Sequence, residues 1–273
     1  MATKILQISD IHYGADYNGL FNTKDQFLEV CRAAKQGGPV GGYDAVILTG
    51  DLVDDDDKVS DSEKAKAYED IYAATECLCN DRKRLLVTPG NHDNAHIMTE
   101  ITRRLPMYDT QDFFQTSGFN APGTHLLITE IGNKEIVILD SGNAEPYKGI
   151  ARLSAHYIEH RRPADEMLVF THKPFRAEAL YHRFMKDNVM SEDVGDLLSG
   201  YVKTYLCGHY HHLTHVKTPG MDMYVCPGVQ CQIDPYSKEC KAIAIPGYQV
   251  ITYEPYTGSA VEVKPVILDD YVL

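Results

Sequence analysis

Through the first half of the chain, short apolar runs alternate with longer stretches whose apolar positions recur every three or four residues. "KILQIS" (4–9), "DAVILTG" (44–50) and "RLLVTPG" (84–90) are the short runs. Their nearly continuous apolar character predicts parallel strands buried on both faces. Asn22 to Gln36 sets Phe27, Val30, Cys31 and Ala34 at helical spacing, and "GGPVGG" ends that predicted helix. A second helix is predicted over "SDSEKAKAYEDIYAATECLC" (60–79). This alternation is the signature of a layered α/β domain.

The second half is richer in strands. "HLLITEIG" and "KEIVILD" flank a tight turn at Asn133, and "EMLVFTH", "VKTYLCGH", "MYVCPG" and "YQVITYE" follow. Helical stretches are predicted near 151–162 and 178–199. No internal repeat or long linker divides the chain, so the pattern predicts one domain over residues 1–273, with two sheets face to face and helices outside. Stretches 13–22, 94–124 and 141–150 read as loops.

Composition narrows the class. With 44% hydrophobic and 24% charged residues in a chain of 273, this is the balance of a soluble globular protein. No run approaches the roughly 18 apolar residues of a membrane span. "MATKILQISD" carries a charge within a strand-like start rather than a signal peptide's apolar core, which predicts an intracellular, cytoplasmic protein. Seven scattered cysteines argue against a disulfide framework, and "CLC" (77–79) has no second cysteine pair with which to bind a soft metal. A net charge of −13 works against nucleic acid as a partner. The acidic run Asp54 to Asp57 lacks calcium-loop spacing and reads as a solvated stretch before the helix that begins near Ser60.

The chemistry collects at strand ends. The first run closes in "SDIH", placing Asp10 and His12 on one side of an extended chain. The second closes in Asp51 after a glycine, and the third in Asn91, His92 and Asp93 after another. "EMLVFTH" ends in His172, and "GHYH" carries His209 and His211. In an open α/β sheet, ligands bind at the carboxyl ends of strands. Carboxylate, amide and imidazole donors without thiolate suit Mn, Fe or Zn, and the donors are too many for one tetrahedral zinc. They divide over two ions about 3.5–4 Å apart if one carboxylate is shared.

"SDIH", "GD", "GNHD", "THKP" and "GHYH", in this order across residues 9–211, resemble the motif set of the calcineurin-like metallophosphoesterase superfamily. The spacing is similar to its class III cyclic-nucleotide phosphodiesterases. The resemblance implies a four-layer α-β-β-α sandwich with a metal site at strand C-terminal ends. It further implies that Asp10, His12 and His211 hold one ion, that Asn91, His172 and His209 hold the other, and that Asp51 bridges them. His92 would be the catalytic histidine over the scissile phosphate, with Asp93 orienting its imidazole. The implied reaction is hydrolysis of a small phosphodiester by a hydroxide held between two metal ions. A phosphomonoesterase or protein phosphatase with the same centre is the alternative, and a non-catalytic metal-stabilised interaction module is a third reading.

Around these residues, Tyr13 and Tyr210 are candidates to line a substrate pocket. His212 and His215 are read as bystanders, and His96 and His125 are assigned no role. The tail "VILDDYVL" (266–273) is apolar enough to close a sheet edge or to meet a second copy in a homo-oligomer.

Overall fold

In a computed structural model of the chain, the described residues are 1–15, 22–54, 56–81, 84–104, 126–141, 167–175, 198–199, 202–234, 241–256 and 258–268. Their elements follow in the order β1 (Thr3–Ile8), α1 (Thr23–Gly37), β2 (Ala45–Thr49), α2 (Asp61–Glu76), β3 (Leu85–Thr88), α3 (Ala95–Arg104), β4 (Leu126–Ile131) and β5 (Lys134–Leu139). Then come β6 (Met167–Phe170), β7 (Thr204–Cys207), β8 (Thr214–Thr218), β9 (Met221–Val225), β10 (Gln232–Ile233), β11 (Ala242–Ile243), β12 (Gly247–Tyr253) and β13 (Val261–Ile267). One sheet runs β13-β12-β1-β2-β3 and a second β4-β5-β6-β7-β9-β8, with β10 and β11 forming a small hairpin. β1, β2 and β3 are mutually parallel, as are β5, β6, β7 and β9. Their carboxyl ends are therefore available to build a site.

Strand alternation sorts the side chains into layers. Ile5, Ile47, Leu86 and Ile251 of the first sheet meet Ile136, Ile138, Leu168, Phe170 and Leu206 of the second. The neighbouring positions Leu6, Ile8, Val46, Leu48 and Val87 turn to the opposite face, where Phe27, Val30, Tyr68, Ile71, Ile97 and Ile101 of the helices cover them. Each such side chain, fully buried, contributes about 1.5–3 kcal/mol. The far face of the second sheet carries Val137, Val169, Tyr205 and Met223, packed with Phe175, Leu198 and Val202. The helices predicted at 151–162 and 178–199 lie outside the described residues except for 198–199.

Local chemistry sets the helix starts. Asn22 caps α1 by accepting the Asp25 N–H, and Ser60 with Glu63 forms a reciprocal capping box on α2. Two elements depart from the sequence reading. Residues 95–104 form a helix where a loop was expected, because Ile97, Met98 and Ile101 recur at helical spacing and pack on the first sheet. Residues 261–267 form an edge strand despite Pro265, whose missing N–H is tolerated at a sheet edge. Val266 and Leu268 pack against the first core, so this part of the tail extends the sheet as its outer strand; residues 269–273 lie outside the described residues.

Beneath the strand ends, a polar clamp joins the two sheets. The Gln7 amide donates to Thr49 Oγ1 (3.0 Å) and to the Cys207 carbonyl (3.2 Å), and Gln249 donates to Gln7 Oε1 (2.7 Å). All three glutamine and threonine side chains are buried, so the bonds are satisfied in a low dielectric, where breaking one costs most. Among the described residues, no helix is long and apolar enough to cross a membrane.

Candidate metal centre

The donors predicted at strand ends do converge, but on turns rather than on extended backbone. β1 stops at Ile8 and β7 at Cys207. Asp10 (φ 55°), His12 (47°), Asp51 (51°), His209 (72°) and His211 (47°) are the non-glycine residues with positive φ among those described. The left-handed region disfavours L side chains, at about 1–3 kcal/mol each, and residues held there cluster at functional sites. The picture of Asp10 and His12 as neighbours on one face of a straight strand is thus corrected. Each pair is aimed by a left-handed turn instead.

Those turns are locked to one another. Asp10 N–H donates to the Gly50 carbonyl (3.0 Å), and His12 N–H to the Asp51 carbonyl (2.9 Å). The His209 N–H lies 2.9 and 3.0 Å from the two Asp10 carboxylate oxygens, bridging the sheets. Glycines permit the approach: a Cβ on Gly90 would overlap the Asp51 carboxylate, and one on Gly208 would overlap Ser9 Oγ.

Two groups of donor atoms result. In one, His12 Nε2 stands 3.2 Å from His211 Nε2, which is 3.7 Å from Asp10 Oδ1. In the other, His172 Nε2 lies 3.0 Å from Asn91 Oδ1, 3.1 Å from His209 Nδ1 and 3.2 Å from Asp51 Oδ2. Asp51 Oδ2 is also 3.8 Å from His12 Nε2, between the groups. Ligands about 2.1 Å from one ion sit roughly 3.0–3.4 Å apart, so the spacing matches donors around shared cations. Asp10, His12 and His211 form one cluster able to hold a metal, and Asp51, His172 and His209 another.

The protonation pattern points the same way. His12 Nδ1 faces Asp54 Oδ1 at 2.5 Å, and His172 Nδ1 faces the Thr49 carbonyl at 2.8 Å. A neutral ring that donates at Nδ1 turns a lone pair outward at Nε2, the arrangement of a metal-bound histidine. Around His172 Nε2 the Asn91 and Asp51 oxygens are both acceptors, and positive charge satisfies them, supplied either by a proton on that nitrogen or by a bound cation. Burial opposes charge on His12 and His172, yet Asp54 and Asp51 in the first case and Asp51 in the second lift each to about 9. Burial would raise Asp51, but His172 holds it well below the carboxylate range. Burial, with His12, drives His211 down to about 3, and burial, with His172, drives His209 well below the usual value. The pocket thus demands positive charge near its carboxylates and keeps two further imidazoles neutral, as ligands require.

Asp54 is the site residue that the sequence reading missed. Instead of belonging to a solvated run, its carboxylate reaches both His12 Nδ1 and His92 Nδ1, the latter at 3.4 Å. That carboxylate, where Asp93 was expected, faces the His92 ring. Asp93 Oδ1 accepts the Leu52 and Val53 N–H groups and the Tyr68 hydroxyl, and Oδ2 accepts the Gly90 N–H. It therefore ties the loops after β2 and β3 together. The available signal was the spacing, since Asp54 lies one turn beyond Asp51 in "GDLVD". His92 is half exposed at the rim, its N–H donates to Asp51 Oδ1 (2.8 Å), and the Asp54 bond raises its pKa.

Other candidates separate cleanly. Tyr13 lines a cavity of about 610 Å³ with Lys24, Val53, Asp54, Val59 and Lys66, beside the metal donors. Tyr210 is buried in the core of the second sheet and cannot meet a substrate, which corrects its candidacy. His96 sits on the exposed face of α3, 3.7 Å from Glu100, and His215 stacks on Tyr224 on the strand face. His212 is partly buried outside both donor groups, and His125 lies outside the described residues.

Comparison with known proteins agrees with this geometry. Over 259 residues the chain is 26% identical to a probable cyclic nucleotide phosphodiesterase of Fibrobacter succinogenes, covering 92% of this chain and 89% of that protein. Its fold is similar to that of a dimetal phosphatase from Danio rerio, at 13% identity and TM-score 0.63, over 97% of this chain and 98% of that one. A putative 5'-nucleotidase from Staphylococcus aureus shares the fold at 13% identity and TM-score 0.56, over 100% of this chain and 56% of its own. The family model described as calcineurin-like phosphoesterase matches residues 3–213, which carry every donor named above, and the chain belongs to that family.

Proposed function

We propose that this phosphoesterase hydrolyses small, nucleotide-like phosphodiesters as a single cytoplasmic domain over residues 1–273. We assign Asp10, His12 and His211 to one ion, Asn91, His172 and His209 to the other, and Asp51 to both. The observation that carries the reading is Asp51 Oδ2, within 3.8 Å of His12 Nε2 and 3.2 Å of His172 Nε2, with His92 at the rim. Nitrogen and oxygen donors of this kind suit Mn, Fe or Zn. When bound, a pair of such cations makes hydroxide available near neutral pH and offsets charge on phosphoryl oxygens.

The protein's own groups do the rest. Asp54 draws Nδ1 of His92 toward itself and favours the protonated ring, leaving Nε2–H to donate to the departing alkoxide. Asp51 fixes the backbone of His92 through its second oxygen. The cavity beside Tyr13 and Asp54, about 610 Å³, falls in the size range of small-ligand pockets and is our candidate seat for the organic group of the diester. A preference for diesters is supported by the likeness to the Fibrobacter protein described as a probable cyclic nucleotide phosphodiesterase. It is also supported by a formal site charge of about +1 from two divalent ions, two carboxylates and one hydroxide, which suits a monoanion. Parallel assays with bis-p-nitrophenyl phosphate and p-nitrophenyl phosphate, with and without Mn²⁺, should show metal-dependent turnover favouring the diester. Turnover of the monoester alone would overturn the proposal.

A further inference from the structure

Three of the donor imidazoles have their second nitrogen engaged, and the third partner is unusual. His12 Nδ1 meets a carboxylate and His172 Nδ1 a carbonyl, whereas His211 Nδ1 lies 3.4 Å from Cys231 Sγ. Cys231 is 3% exposed, and its Sγ is in turn 3.8 Å from Gln230 Oε1. Only one direction of donation leaves His211 a ligand. If the thiol donated to Nδ1, the neutral ring would carry its proton on Nε2, the atom that faces His12 Nε2 at 3.2 Å. If Nδ1–H donates to Sγ and S–H donates to Gln230 Oε1, every proton has an acceptor and Nε2 is free for a cation.

The loop that carries Cys231 is built as a clasp. Val229 N–H donates to the Ser9 carbonyl (3.1 Å), and Gln230 N–H to the Asp10 carbonyl (3.0 Å). Ile233 N–H donates to the His211 carbonyl (2.6 Å). A Cβ on Gly228 would sit 3.2 Å from His211 Nδ1, so glycine at this position is what lets the loop pass close beside the ring. We infer that Cys231 is a positioning residue, holding His211 in the Nδ1–H tautomer with Nε2 aimed at the ion shared with Asp10 and His12.

The inference rests on the two-ion reading, and its test uses metal binding rather than turnover. Metal-free full-length protein is titrated with Mn²⁺ by calorimetry. In Cys231→Ala one of the two ions should bind about tenfold more weakly, the low end of the range for loss of a ligand's outer partner, while Cys231→Ser should stay within about threefold of wild type. Cys226→Ala is the control, because that buried thiol touches the Gln7 carbonyl and no donor; both ions should bind it as they bind wild type. Wild-type affinity in Cys231→Ala, equal weakening by Ala and Ser, or equal weakening in Cys226→Ala would overturn the inference. Should Cys231→Ala fail to fold, long-range ¹⁵N spectra of Zn²⁺-loaded wild type decide: an Nε2–H form of His211 overturns it, and an Nδ1–H form supports it. A wild type that takes up a single ion would overturn the two-ion reading itself.

Discussion

His209 and His211 belong to the same short stretch as His215, and both neighbourhoods combine imidazole, tyrosine and carboxylate. Around His209 and His211 the backbone is left-handed (φ 72° and 47°), both residues are 7% exposed, and the rings point at other donors. His215 lies on β8, stacked on Tyr224 at 4.1 Å and 3.6 Å from Asp222, with 37% of its side chain exposed. The residue types are alike and the environments opposite. A cluster becomes a metal site when strained turns and burial force lone pairs to converge, whereas an exposed pair satisfies itself with water and salt.

The sharpest way to break this contrast is to remove the shared oxygen. Asp51→Ala takes a donor from both groups and the acceptor of the His92 N–H. Hydrolysis should fall by more than the roughly 10²–10⁴-fold that one acid–base group supplies, and elemental analysis should show loss of both ions. His92→Ala should come next, lowering kcat by roughly 10²–10⁴-fold. Its metal content should equal that of wild type, since the ring is half exposed and belongs to neither the Asp10–His12–His211 nor the Asp51–His172–His209 cluster, meeting the first through the Asp54 carboxylate that it shares with His12. A His92→Ala protein that loses its ions would move His92 from chemistry into the ligand shell.

Asp54→Asn tests the link between the two. The amide cannot match the carboxylate that holds His12 at 2.5 Å, so affinity for the ion at His12 should fall roughly 10–100-fold. The same change has a pH signature. Asp54 raises the pKa of His92, so removing its charge returns the ring toward the ordinary value of about 6.5. The acid form then disappears at lower pH. The basic limb of the kcat/KM profile should therefore shift to lower pH, and an unmoved limb would separate Asp54 from His92.

The strands, and the Asp and His side chains that converge at their ends, could be read from the sequence because both are local signals. An apolar run such as "AVILT" is buried on both faces wherever it lies, and Asp or His at its carboxyl end must leave the sheet there. The left-handed backbone could not be read, since Asp10 and His12 have the same spacing on a strand as on a turn. Asp54 was obscured by its acidic neighbours, which make a solvated run the ordinary expectation. Asp93 was misassigned because adjacency to His92 suggests contact, whereas the turn sends its carboxylate back to the Leu52, Val53 and Gly90 N–H groups. The helix at 95–104 follows directly on donor residues, and its short apolar pattern was read as part of a loop.

The smallest expected effect is at His215. Its ring stacks nearly parallel on Tyr224, 9° from coplanar, and its exposed pairing with Asp222 is screened by solvent. His215→Ala removes a face of contact on an already exposed strand and leaves the donors untouched. Stability measured by urea unfolding should change by no more than about 0.5–1.5 kcal/mol, the range of an aromatic pair. Metal content and hydrolysis should be those of wild type. A loss of bound ion would mean that β8 transmits its packing to the His211 turn, and burial with backbone strain would then no longer suffice to tell a site from its surroundings.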